Sequence, residues 1–254
     1  MRDQQQTITQ HLRELRKRVT YSVIAVVVTT GLAFAFHEQI LTLLMEPARG
    51  FADIPNGKPV YTELTEFLSV SFKASLLVGL FAALPFILLQ MILFVSPGLT
   101  PSERRWVYFL IPAVLLAFVG GAAFGYRILF PPAVDFLLSF GEDLATPLIR
   151  IGNYVNLMIS LLFWMGIVFE TPIVLFFLAK IGVVTPQFLA KNRRFAIVIA
   201  FVLGALITPT FDPINQTFVA IPIIVLYEVG IWLAKFGARG RSRAATELAE
   251  ERQG

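Results

Sequence analysis

Apolar residues in this chain are gathered into six runs, which short polar segments separate. A helix needs about 20 mainly apolar residues to cross the core of a bilayer. The pattern therefore predicts six transmembrane helices, with short amphipathic segments at 38–46 and 133–140 between them. The runs lie at residues 19–36, 67–95, 106–130, 154–179, 195–207 and 214–234.

The fifth and sixth predicted helices are short. The fifth extends from Ala196 to Ile207, which covers only about 18 Å at the helical rise. The sixth begins with the polar residues Asn215, Gln216 and Thr217. Either the bilayer becomes thinner around these two helices, or neighbouring helices bury their polar ends.

Composition agrees with an all-α polytopic membrane protein. Hydrophobic residues make up 56% of the 254 positions and charged residues only 15%, against roughly 25% charged in soluble domains. The chain has no Cys and two His, which excludes disulfides and thiol chemistry and makes a His-based metal site improbable, so no cofactor is expected. The phosphate-loop, H-E-x-x-H and G-x-S-x-G motifs are missing, which argues against an ATPase or a common hydrolase.

Basic residues are distributed very unevenly between the two sides of the predicted membrane domain. Sixteen of the 21 Lys and Arg residues fall on the side of the two termini, four on the other side, and Lys73 lies within the second run. This asymmetry predicts cytoplasmic termini and no role in nucleic-acid binding. The predicted organisation is an amphipathic helix at 1–18, a six-helix membrane domain at 19–236 and a basic tail at 237–254 that is expected to be disordered. A cleavable signal peptide is the less favoured interpretation of the first run, because that run continues to Phe36.

Glu14 is the single acid in the amphipathic segment at 7–18, whose apolar residues share one helix face. Two interpretations are open. Glu14 pairs with Lys17 or Arg18, three and four positions along the helix, or it receives a cationic ligand on the cytoplasmic side.

Glu103 also lies on the cytoplasmic side. Thr100, Pro101 and Glu103 have the spacing of a capping box, in which Glu103 stabilises a helix start. Alternatively, Glu14 and Glu103 together hold two guanidinium groups through charge-assisted hydrogen bonds. Asp212 before Pro213 is predicted to cap the sixth helix.

Glu170 is the only charged residue between Arg150 and Lys180, within an apolar run. A carboxylate at the centre of a membrane helix costs about 2.5–3.5 kcal/mol on insertion scales, which indicates a function. Pro172 predicts a kink beside it. Gln90 and Gln216 are further intramembrane polar groups, and a polar cluster around Glu170 is expected. The alternative is a purely structural hydrogen bond between helices.

The chain resembles the TatC family, the multispanning receptor subunits of the twin-arginine protein translocase. The resemblance extends from His11 to Lys235 and rests on these residues: His11-Leu-Arg-Glu14-Leu-Arg-Lys-Arg18, Pro47, Pro85, Gln90, Phe94, Ser102-Glu103, Phe124-Gly-Tyr126, Phe169-Glu170-Thr-Pro172, Thr208-Pro209, Asp212 and Gln216.

The resemblance implies a cup-shaped, six-span protein of a prokaryotic inner membrane that binds signal peptides with a consecutive arginine pair on folded proteins. It implies that Glu14 and Glu103 contact the pair, with Arg16, Arg18 and Phe94 nearby. It also implies that Glu170 lines the concave face and that single-span TatA and TatB dock along the fifth and sixth helices. A homo-oligomer within the receptor complex and transport driven by the proton motive force are further expectations.

Two other functions remain in view on the residues alone. A proton-coupled secondary transporter would use Glu170 as its proton carrier, although no internal repeat is found. An intramembrane enzyme would use Glu170 as acid or base, but no second catalytic group is predicted at its depth.

Overall fold

The computed structural model describes residues 8–51, 54, 58–95, 101–140, 147–208 and 212–251, with the side chains at 8, 9, 11, 92, 95, 101–110 and 239–251 outside this description. Within these ranges the chain is helical apart from short connections and one bridge between Val60 and Arg150. The prediction of an all-α protein is therefore confirmed. The helices are α1 (Ile8–Phe34), α2 (His37–Met45), α3 (Glu66–Val95), α4 (Pro101–Phe124), α5 (Phe130–Ser139), α6 (Ile151–Phe169), α7 (Thr171–Ile181), α8 (Pro186–Lys191), α9 (Arg193–Ile207) and α10 (Pro213–Glu251).

Five helical stretches among the described residues are long and apolar enough to cross a bilayer, which makes the chain a polytopic membrane protein. These are Leu12–Phe34, Glu66–Met91, Ile111–Ser139, Ile151–Ile181 and Pro213–Ala238. The predicted fifth span corresponds to α9, which has only 15 residues. The expectation of a short sixth span is wrong, because the apolar stretch of α10 has 26 residues. Its polar start is accommodated within the helix, where the Thr217 hydroxyl donates a 2.6 Å hydrogen bond to the Pro213 carbonyl.

Helix α1 continues without interruption from Ile8 to Phe34, so the amphipathic segment predicted at 7–18 is the first part of a longer helix. No proline lies between Ile8 and Phe34 to turn the chain. At the other end, α10 continues to Glu251, although the tail from residue 237 is expected to be disordered. Its Ala and Glu residues are good helix formers, and no proline follows Pro222.

The third span also continues beyond its predicted end at residue 130. A π-helical turn (Gly125–Leu129) joins α4 to α5. Pro131 and Pro132 lie in the first turn of α5, where a missing backbone N–H breaks no helical hydrogen bond.

The core is centred on α6, whose Val155, Met158 and Met165 are fully buried. Helix α6 packs against α3 and α4, while α10 packs against α7 and α9. Helix α1 packs mainly against α3 and leaves many of its apolar side chains exposed. That exposure is expected for a helix facing lipid.

Candidate functional site

Helices α1 and α3 form a close pair that positions the N-terminal acid. A Cβ atom on Gly79 would lie 2.6 Å from the backbone N and Cα of Thr30, so only glycine permits this approach. The Thr29 hydroxyl donates a 2.7 Å hydrogen bond to the Gly79 carbonyl at the same crossing.

Glu14 is joined to α3 through Arg18. The Arg18 Nη2 atom lies 3.2 Å from Glu14 Oε1, and Arg18 Nη1 donates a 3.1 Å hydrogen bond to Gln90 Oε1 on α3. The pairing of Glu14 with Arg18 is one of the two alternatives that the sequence leaves open. Gln90 is buried and belongs to this cluster, which we call the Glu14–Arg18–Gln90 cluster.

The surroundings of the cluster are basic and partly apolar. The side chains of Arg13, Arg16 and Lys17 are exposed. Phe94 is half-buried on α3, four residues beyond Gln90. Glu103 lies in the first turn of α4, but its side chain and the proposed cap Thr100 lie outside the described residues.

Glu170 lies at the break between α6 and α7. Its backbone N–H donates to the Ile167 carbonyl at 3.1 Å, and Pro172 follows at the start of α7. Both carboxylate oxygens are buried and accept no hydrogen bond from any residue that the structure describes. The interruption predicted from Pro172 is present, whereas Gln90 hydrogen-bonds Arg18 instead of Glu170.

Gln216 contributes to the contact between α9 and α10. A Cβ atom on Gly204 would lie 2.8 Å from the Gln216 carbonyl oxygen, so the two backbones are in close contact. Asp212 Oδ1 accepts a 2.6 Å hydrogen bond from the Asn215 N–H, the geometry of a helix cap. Of the prolines that carry the resemblance, Pro47 lies at the start of a 3₁₀ turn (Glu46–Gly50), and Pro85 lies exposed within α3.

Sequence reasoning missed a polar cluster at the opposite end of the molecule. Glu66 is 7% exposed, and its carboxylate accepts hydrogen bonds from the backbone N–H groups of Thr62 and Gly152 at 2.9 and 3.0 Å. Arg150 Nη2 lies 3.2 Å from Glu66 and 2.8 Å from Glu63. The hydrogen bonds that Arg150 donates to Glu66 and to Glu63, that to Glu66 having the larger effect, raise the pKa of Arg150 above its ordinary value. The only signal in the sequence was an acid and a base at the ends of different spans.

A second missed contact ties α9 to α10. Arg193 Nε and Nη2 donate to the two carboxylate oxygens of Glu228 at 2.6 and 2.9 Å. Arg193 and Glu228 are 35 positions apart, so spacing along the chain does not reveal this pairing.

Comparison with known proteins gives one consistent result. A family model described as Sec-independent protein translocase protein (TatC) matches residues 10–222. Similar proteins include TatC of Carboxydothermus hydrogenoformans, 38% identical over 93% of this chain and 96% of its own length, and TatC of Aquifex aeolicus, 41% identical over 91% and 96%. A crystal structure of the twin arginine translocase receptor TatC has a TM-score of 0.79 and 41% identity, covering 89% of this chain and 99% of the solved one.

Proposed function

Since this chain belongs to the TatC family, we propose that it recognises signal peptides through their consecutive arginine pair, with Glu14 and Glu103 as the contacting acids. As a TatC protein it is a core signal-peptide receptor component of the twin-arginine translocase, a membrane transport protein and not an enzyme. The observation that supports a role for Glu14 in binding the arginine pair is the Glu14–Arg18–Gln90 cluster.

The cluster fixes the position of the Glu14 carboxylate relative to helices α1 and α3. Glu14 is 23% exposed in its side chain, and its Oε1 is oriented by Arg18. Arg18 is in turn held by Gln90 across 72 positions of the chain. A guanidinium group of a peptide can bind such a carboxylate directly, because planar N–H pairs match carboxylate oxygens.

Arg18 makes this recognition selective. The peptide arginine must either displace Arg18 from Glu14 or share the Glu14 carboxylate with it. In addition, the exposed Arg13, Arg16 and Lys17 repel a cation. A single arginine therefore binds Glu14 weakly. A pair of arginines binds with higher affinity, because Glu103 supplies the second carboxylate. Phe94, with Arg16 and Arg18, completes the proposed recognition region.

The test is capture of a twin-arginine signal peptide by the purified protein in detergent. We expect an Arg-Arg peptide to be crosslinked far better than its Lys-Lys variant, because ammonium groups lack the bidentate geometry. Glu14→Gln with Glu103→Gln should abolish capture. Glu38→Gln, which changes an exposed acid on α2, is the matched control and should leave capture unchanged. Equal capture of the two peptides, or capture by the double variant, would overturn the proposal.

We further propose a topology of six spans around a concave face, with α9 as the short fifth span and both termini in the cytoplasm of a prokaryotic cell. The chain has no native Cys, so single cysteines report sidedness directly. A cysteine at Gln10 should react only from the cytoplasmic side. One at Leu64, which is fully exposed, should react only from the outside, and the reverse pattern would refute the topology.

Glu170 is proposed to receive a polar side chain of a single-span TatA or TatB partner during transport that the proton motive force drives. The support is its buried carboxylate, which has no hydrogen-bond donor among the described residues. Glu170→Ala should retain peptide capture and lose co-purification of the partners, whereas loss of peptide capture in a stable protein would contradict the separation of the two sites. A proton-coupled transporter is less well supported, because the chain belongs to a protein-translocase family.

A further inference from the structure

A groove of about 680 Å³ lies beside the N-terminal half of α6. Its apolar walls include Leu137 on α5, Leu157 on α6 and Leu206 on α9. Leu148 and Leu206 at its edge are 72% and 69% exposed. The size is within the range of about 300–1,000 Å³ that is typical of ligand sites. Exposed apolar side chains at the edge of a groove in a membrane protein suit the acyl chains of lipids.

A row of polar residues on α6 forms part of the wall of this groove. Arg150, Asn153, Asn156 and Ser160 line it, at the three- and four-residue spacing that places side chains on one helix face. The stripe covers about 15 Å along the helix, roughly half of the bilayer core. The Asn153 side-chain amide makes no hydrogen bond within the part of the chain that the structure describes.

Lys73 on α3 places a positive charge beside this stripe, although it is not one of the residues that line the groove. It lies seven residues into α3, about 10 Å along the helix from Glu66. Its Nζ atom donates a 3.0 Å hydrogen bond to Asn156 Oδ1, and it forms no ion pair with any described carboxylate. The charge of Arg150, by contrast, is already balanced by Glu63 and Glu66.

We propose that this groove binds an anionic phospholipid. Its phosphate accepts hydrogen bonds from Lys73 Nζ and the side-chain amides of Asn156 and Asn153, while one acyl chain lies along the leucine walls. A charged group at membrane depth requires a partner, and the bilayer supplies one that is both anionic and apolar. Basic sites between transmembrane helices recognise lipid headgroups through the same chemistry.

The test uses the purified full chain in detergent, with phosphatidylglycerol or phosphatidylcholine added and bound lipid counted by native mass spectrometry. We expect phosphatidylglycerol to be retained preferentially. Lys73→Gln should lower its affinity about tenfold, the effect of losing one charged hydrogen bond. Lys73→Arg should retain binding. Arg127→Gln removes the same charge from an exposed arginine outside the groove and should bind lipid as the parent does.

A photoactivatable phosphatidylglycerol provides a second measurement, which does not depend on the Lys73 variant being well folded. It should label the groove wall around Leu148 and Leu206, and millimolar inorganic phosphate should not compete. Labelling elsewhere, or unchanged lipid affinity in Lys73→Gln, would overturn the proposal. The same holds if Lys73→Gln keeps its lipid but loses a single-span partner, because an acidic partner helix would then be the occupant.

Discussion

The close approach of α1 and α3 at Gly79 gives the sharpest test of how Glu14 is positioned. In Gly79→Ala the added Cβ would lie 2.6 Å from the Thr30 backbone, whereas carbon atoms in contact stay about 3.5–4.0 Å apart. The two helices must therefore separate by about 1 Å at this crossing. Gly31→Ala on α1 is the matched control, because nothing lies within 4 Å of its Cβ position.

The expected magnitude follows from three contributions. Overpacking at a tight contact costs about 1–3 kcal/mol. Weakening the Thr29–Gly79 hydrogen bond adds about 0.6 kcal/mol, the average for such bonds in membranes. Alanine offsets about 0.5–1 kcal/mol through its better helix propensity. Gly79→Ala should therefore lose about 1–3 kcal/mol of unfolding free energy, while Gly31→Ala should gain about 0.5–1 kcal/mol.

Unfolding in mixed micelles by titration with a denaturing detergent measures both variants, and signal-peptide capture measures the consequence for Glu14. Gly79→Ala should weaken capture because α1 and its carboxylate shift relative to α3, whereas Gly31→Ala should not. Equal stability and equal capture in the two variants would refute the close helix contact and the positioning role derived from it.

Three further substitutions test other contacts. Arg193→Glu and Glu228→Arg should each lower the unfolding free energy only slightly, because the pair is partly exposed. The double swap should recover part of that loss, and additive losses would show that the pair contributes nothing. Asp212→Ala should destabilise α10 by about 1 kcal/mol. Asp212→Asn can still accept the hydrogen bond from the Asn215 N–H and should be nearly neutral. Equal losses of stability for the two variants in thermal unfolding would contradict the capping role. Glu170→Leu should leave the stability in micelles unchanged or raise it, by up to about 3 kcal/mol, while partner co-purification falls. A large loss of stability would show that Glu170 has a structural partner.

Local features of the fold could be predicted from the sequence. The apolar runs correspond to helices, the segment at 38–46 to α2, and the start of the third span to Pro101. These features depend on neighbours within a few residues, so a single sequence contains their determinants. The i, i+4 pair of Glu14 and Arg18 is predictable for the same reason.

Contacts between distant residues could not be predicted. Arg18 donates a hydrogen bond to Gln90, 72 positions away, and Arg150 donates one to Glu66, 84 positions away. Helix packing, and not sequence spacing, brings these residues together. The prediction that the third span ends at residue 130 was wrong for another reason. A proline interrupts a helix in its interior but not in its first turn, and the π-helical turn that makes this position a first turn has no simple sequence signal.

Lys73 and Glu170 differ from four other ionisable groups that lie on or beside the membrane helices. Glu66, Arg150, Arg193 and Glu228 each have an opposite charge within 3.2 Å, whereas Lys73 and Glu170 have no ion pair among the described residues. An unpaired charge costs about 2.5–3.5 kcal/mol at the centre of a membrane helix on insertion scales, and leucine at either position would remove the cost of burying a charge. Stability therefore does not explain either residue. Because one is a cation and the other an acid, they require partners of different chemistry: an anion for Lys73 and a hydrogen-bond donor for Glu170. Two separate ligands, one from the bilayer and one from a partner protein, satisfy both requirements.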